Sequence, residues 1–153
     1  MSKIIVRVKY VGGSYWNGYQ TMVISFLFNE DLNRKEIKLD YLYPYGMVDE
    51  TENAIIYDNE VCSKILNNFI YLLTNFKGMH RYYDHYTTDG EEFSLDVTYD
   101  SGMTSNYYFY GSKDSPYKEI YFAFNEIRDY INTLIALYFK DASKKESQTN
   151  LIN

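Results

Sequence analysis

Apolar and polar residues alternate from Lys3 to Val11. Ile4, Val6, Val8 and Tyr10 fall on one side of an extended chain, and Ile5, Arg7 and Lys9 fall on the other. A period of two over this length predicts a half-buried β-strand. Gly12 to Gly18 is a glycine-rich connection ending in the turn pair Asn17-Gly18. A second strand is predicted from Tyr19 to Asn29; Val23, Ile24, Phe26, Leu27 and Phe28 make it apolar on both faces and suit it to the middle of a sheet. After a turn at 29–33, alternation resumes from Lys35 to Tyr43, with Ile37, Leu39, Tyr41 and Tyr43 inward. Three successive strands with short turns form an antiparallel meander. Pro44-Tyr45-Gly46 ends it, and residues 47–58 read as acidic and irregular.

Helical spacing begins after Asp58 and Asn59, both good caps, with Glu60 in the first turn. Val61, Ile65, Phe69 and Leu73 recur every fourth residue, and the helix is expected to stop near Phe76. Met79 to Tyr86 fits neither a linker nor a strand. Glu92 to Asp100 alternates most cleanly of all, and Ser101-Gly102 turns it into a hairpin with Met103–Tyr110. Ser115-Pro116 predicts a capped helix start. Ile120, Phe124, Ile127, Ile131, Leu134 and Tyr138 then mark a long amphipathic helix over 117–139.

The expected fold is α+β: a mainly antiparallel sheet of about five strands, ordered β-β-β-α-β-β-α along the chain, with both amphipathic helices on one face. Residues 1–140 are read as a single domain and the polar, patternless 141–153 as a flexible tail. A chain of 153 residues buries enough surface to fold without disulfide or metal. Its one cysteine, Cys62, lies in the first helical pattern and is expected to be a small core residue.

Composition changes the picture in two ways. Aromatic residues make up 19% of the chain and 19 of them are tyrosine, too many phenols to hide, so several must reach the surface. Net charge is −6 and unevenly spread. Residues 1–29 carry Lys3, Arg7 and Lys9 and no acid, whereas Tyr82 to Ser112 holds six carboxylates and no lysine or arginine. An acidic surface repels nucleic acid and attracts basic partners. With no signal-peptide pattern at the N-terminus and no apolar run of membrane-spanning length, the expected location is the cytoplasm, the host's if the gene is phage-borne.

Candidate chemistry is sparse. His80 and His85 with Asp84 and Asp89 are the one cluster resembling a metal site, and their spacing suits neither a helical pair nor a finger. There is no nucleophile elbow, phosphate loop or dinucleotide fingerprint. The expectation is therefore a protein with no catalytic residue, metal or cofactor. The basic residues of the first strand do not continue past Lys9, which argues against direct nucleic-acid contact. Candidate partner-binding residues are Tyr15 and Trp16 in the glycine loop, with the carboxylates Asp49, Glu50, Glu52, Asp89, Glu91, Glu92 and Asp96. Trp16 either anchors a partner or folds back onto the core.

The stretch from Asp89 to Gly102, an Asp-Gly turn leading into an alternating strand that ends in Tyr99, resembles small uncharacterised α+β proteins of AT-rich Gram-positive bacteria and their mobile elements. Gly111, Pro116 and the helix after them continue the pattern, although Phe93 stands where Trp is commoner. That resemblance implies a fold and no activity. In composition the chain is also similar to phage-encoded inhibitors of bacterial defence, anti-CRISPR proteins among them. From this the expected function is a non-enzymatic inhibitor that binds a basic nucleic-acid-handling protein, a nuclease or defence effector, through an acidic tyrosine-rich surface. Immunity proteins against nuclease toxins share that logic, and a small-ligand-binding domain using the aromatic sheet face is the alternative.

Overall fold

The computed structural model describes residues 2–14, 18–42, 51–76 and 80–139. The elements run β1 (Ser2–Ser14), β2 (Gly18–Asn29), β3 (Arg34–Leu42), β4 (Thr51–Ile56), α1 (Asn59–Leu73), β5 (Arg81–Tyr83), β6 (Glu91–Tyr99), β7 (Thr104–Gly111) and α2 (Lys118–Tyr138). Seven strands form one sheet in the order β4-β3-β2-β1-β6-β7-β5, placing the first strand at its centre.

The α+β class holds, and the strand count is corrected from five to seven. β4 pairs antiparallel with β3, so that Glu52, Ala54 and Ile56 stand opposite Tyr41, Leu39 and Ile37. Its inward positions include a glutamate and an alanine, which hid the alternation. β5 has only three residues and pairs parallel with β7, which makes the sheet mixed. A segment this short cannot display a period.

Alternation puts Val8, Tyr10, Met22, Ile24, Phe26, Ile37, Leu39, Phe93, Leu95 and Phe109 on one face, all at most 3% exposed. Both helices cover that face: Phe69 of α1 meets Phe26 edge-on at 6.1 Å, and Phe124 of α2 stacks on Phe93 at 5.3 Å. A register shift between Ile4 and Val6 turns Ile4 to the opposite face, beside Leu27, so it does not share a side with Val6 as the bare alternation implied. The α1 start is as expected: the Asp58 carboxylate accepts from the Val61 N–H at 3.0 Å. Cys62 is buried, and its thiol points at the Ile56 carbonyl.

The α2 start differs. Ser115 does not cap it; the cap position is Tyr117, left-handed at φ 61°, with no side-chain cap bond. The Ser115 hydroxyl instead donates to Asp84, a carboxylate only 5% exposed. Asp84 also accepts from the Thr87 hydroxyl at 2.6 Å and the Tyr86 N–H at 3.0 Å. This knot ties the segment after β5 to the approach of α2. Ser115 and Thr87 lead the donors that hold the Asp84 carboxyl below its ordinary range. Among the described residues, no helix is long and apolar enough to cross a membrane.

Candidate functional site

The residues that α2 does not bury form a second stripe. Glu119, Phe122, Glu126, Asp129 and Thr133 recur in steps of three and four, so they stack on one side of the helix. That side flanks the seam with α1. The two helices run antiparallel there, since Asn68 donates to the Tyr130 hydroxyl at 3.1 Å while Asn75, seven residues on, donates to Glu126 at 2.8 Å. The seam opens into two concavities that share Glu126. One, of about 590 Å³, is lined by Asn75, Tyr117, Glu119, Ile120, Phe122, Ala123 and Glu126. The other, of about 340 Å³, is lined by residues that include Tyr71, Leu72, Asp129 and Tyr130.

The chemistry of this groove is consistent along its length. It presents three carboxylates, Glu119, Glu126 and Asp129, and among the described residues neither lining includes a lysine or arginine. Tyr71, Tyr117 and Phe122 are 71%, 52% and 52% exposed, with Tyr117 also meeting Tyr82 at 5.1 Å and Phe122 meeting Tyr121 at 5.7 Å. Tyr130 is fixed behind them by an edge contact on Phe69 at 5.2 Å. Burial raises the Tyr130 phenol above its ordinary range.

The carboxylates singled out from the sequence do not share one surface. Glu91 and Glu92 are neighbours on β6 and so point to opposite faces. Glu91 lies on the helix side, paired with Arg128 at 2.7 Å and accepting from the Tyr121 hydroxyl at 3.0 Å. Glu92 and Asp96 lie on the helix-free face, the first accepting from Tyr108 and the second from Asn106 at 3.0 Å. Glu52 is on the helix side of the edge strand opposite Tyr41, and Asp89 lies in the turn before β6. Tyr15, Trp16, Asp49 and Glu50 lie outside the described residues.

No protein-family model, curated protein or solved structure matches the chain. The candidate metal cluster does not assemble. His80 stacks on Tyr107, His85 leans on Tyr83, and Asp84 is taken up by its hydroxyl donors. Among the described residues, no three potential ligands come together.

The strongest pattern in the sequence of α2 is its apolar stripe, and the groove lies along a different side of the helix. The outward stripe carries the same three-four spacing in acids and one phenylalanine. What it could not reveal is that α1 comes alongside with Tyr71.

Proposed function

We propose that this chain is a non-enzymatic binding protein that holds a lysine- and arginine-bearing segment of a nucleic-acid-handling protein in the groove between α1 and α2. The supporting observation is the groove itself: three carboxylates, with no lysine or arginine in the lining among the described residues, interleaved with three exposed aromatic rings. Carboxylates steer a basic partner into place, and aromatic faces hold guanidinium and ammonium groups through their quadrupoles. A protein that covers the phosphate-binding surface of its target in this way acts as an inhibitor, the role phage and other mobile-element proteins play against nucleases and defence effectors.

The test is titration of isotope-labelled protein with a twelve-residue arginine- and lysine-rich peptide and with its glutamate-substituted counterpart, followed by amide chemical shifts. The basic peptide should perturb residues 119–133 and 68–75, with affinity falling steeply as salt is raised. Neutralising Glu119, Glu126 and Asp129 together to Gln, Gln and Asn should weaken binding at least about tenfold. Phe122→Ala should cost about 1–2 kcal/mol, mainly through faster dissociation. Perturbations that map elsewhere, or equal binding of the acidic peptide, refute the reading.

A further inference from the structure

The larger concavity between α1 and α2 has a floor unlike its rim. Its buried lining residues, Ile120 and Ala123, are apolar, whereas Glu119, Phe122 and Glu126 stand exposed along its α2 side. Seven residues separate the two glutamates, so along the helix they are about 10 Å apart, with Phe122 between them. Tyr117 and Phe122 each make an edge-type contact with a neighbouring ring, Tyr82 and Tyr121 respectively. Those contacts steady the two rings, and about half of each residue still faces solvent.

The electrostatics of this concavity favour a cation. Asn75 donates to one Glu126 oxygen at 2.8 Å, which orients the carboxylate and leaves its other oxygen for a ligand. α1 ends alongside at Thr74, and its last turn holds no basic residue to offset the negative pole of the helix dipole. α2 begins here with its positive pole, but Glu119 stands in that first turn. Lys118 is one position from Glu119, so the helix turns it about 100° aside, onto the stripe of Tyr121 and Asn125. Among the described residues, neither Glu119 nor Glu126 is in an ion pair.

We infer that this concavity is an arginine pocket, a role that rests on the groove holding a basic segment and that names the segment's anchor. One arginine enters it, lays its guanidinium against the Phe122 and Tyr117 rings and donates to Glu126 and Glu119; lysines suffice elsewhere along the groove. A guanidinium is flat and weakly hydrated, so it stacks on rings above an apolar floor at less desolvation cost than a compact ammonium. Its five donors are spread across a planar fork, which suits carboxylates on either side of Phe122 better than a point charge does. The volume of about 590 Å³ has room for the whole side chain.

The experiment titrates isotope-labelled protein at 50 mM salt with three twelve-residue peptides. They differ at one central position, which is arginine, lysine or citrulline, and all their other basic residues are lysine. The arginine peptide should bind at least about tenfold tighter than the lysine peptide, with its additional amide shifts at 117–126 and Asn75. The citrulline peptide keeps the shape, loses the charge, and should bind no better than the lysine peptide. Phe122→Ala and Glu126→Gln should each bring the arginine-to-lysine affinity ratio close to one, and Phe122→Tyr should preserve it. Asp129→Asn, in the neighbouring concavity, should weaken both peptides alike and leave the ratio unchanged. Thermal melts matching wild type show that these exposed changes leave the fold intact. Equal affinity for the arginine and lysine peptides, with shifts in the groove, overturns the arginine pocket and leaves the groove as a site for basic segments. Binding of neither peptide, or shifts confined to other surfaces, overturns both.

Discussion

Tyr10 carries its hydroxyl into the core, where no described group accepts or donates to it, and burial drives the phenol pKa well above its ordinary value. A buried donor without a partner costs about 1–3 kcal/mol, so Tyr10→Phe should stabilise the protein by about 1 kcal/mol, seen as a higher urea midpoint with unchanged slope. The ring lies over Gly12, where an added Cβ would collide with the phenol and approach a Phe93 ring carbon at 2.8 Å. Gly12→Ala should therefore cost about 1–3 kcal/mol, less in the Tyr10→Phe background, and a double-mutant cycle measures that relief. Asp84 behaves oppositely, because its burial is compensated. Its lowered folded pKa means that its contribution is complete above the unfolded value of about 3.9 and is lost as pH falls through the folded value. Asp84→Asn should lower the melting temperature at pH 7, and the gap to wild type should narrow as the pH is taken below about 3.9. None of this was legible in the sequence, where Tyr10 is one inward position among many and Asp84 looked like half of a metal site.

Elements with a clear period were read correctly, to within a few residues. β1, β3, β6 and both helices announce themselves because one face is apolar and the other polar over nine residues or more, while β2 is marked by its apolar run and β7 by the turn that joins it to β6. β4 and β5 were not seen, since the sheet supplies their pairing and their own side chains do not demand it. Ser115-Pro116 misled for a related reason: the serine has a better acceptor in Asp84 than in the helix end. That substitution makes the end of β7 a junction. Gly111 is packed so tightly that a Cβ there would meet the Ser115 hydroxyl at 2.6 Å and the Phe109 ring at 2.9 Å. Gly111→Ala should push Ser115 off Asp84 and loosen β5 and the approach to α2 together. Hydrogen exchange should then quicken at 81–84 and 115–120 while β1 and β2 keep their protection. Uniform loss of protection across the sheet would show that the junction is not a separate unit.

Across the whole molecule, each side of the sheet carries its own set of charges. Among the described residues, the helix seam presents Glu119, Glu126 and Asp129, and the opposite face sets Arg7, Lys9 and Lys38 among Glu36, Asp40, Glu92 and Asp96. Such a division cannot be read from a linear tally, because adjacent residues such as Glu91 and Glu92 are sent to opposite faces by the pleat, while Arg7 and Lys38 are brought together across 31 residues. The acidic, tyrosine-rich character was legible; its location was not. The central position of β1 has a consequence for synthesis. Its partner on one side, β2, follows at once, but β6 on the other ends at residue 99. On the ribosome, once β3 has emerged at residue 42, one edge of β1 stays bare until another 57 residues are made, roughly 3–11 s at usual elongation rates. A bare edge bearing Val6, Val8 and Tyr10 invites pairing with another nascent chain, and basic side chains are among the devices that discourage it. Arg7 and Lys9 stand on that waiting edge. Replacing both with threonine should leave the melting temperature of purified protein nearly unchanged, yet shift product from the soluble to the pelleted fraction in cell-free translation. An unchanged soluble fraction would mean that β1 is shielded by something other than its charges while the rest of the chain is being made.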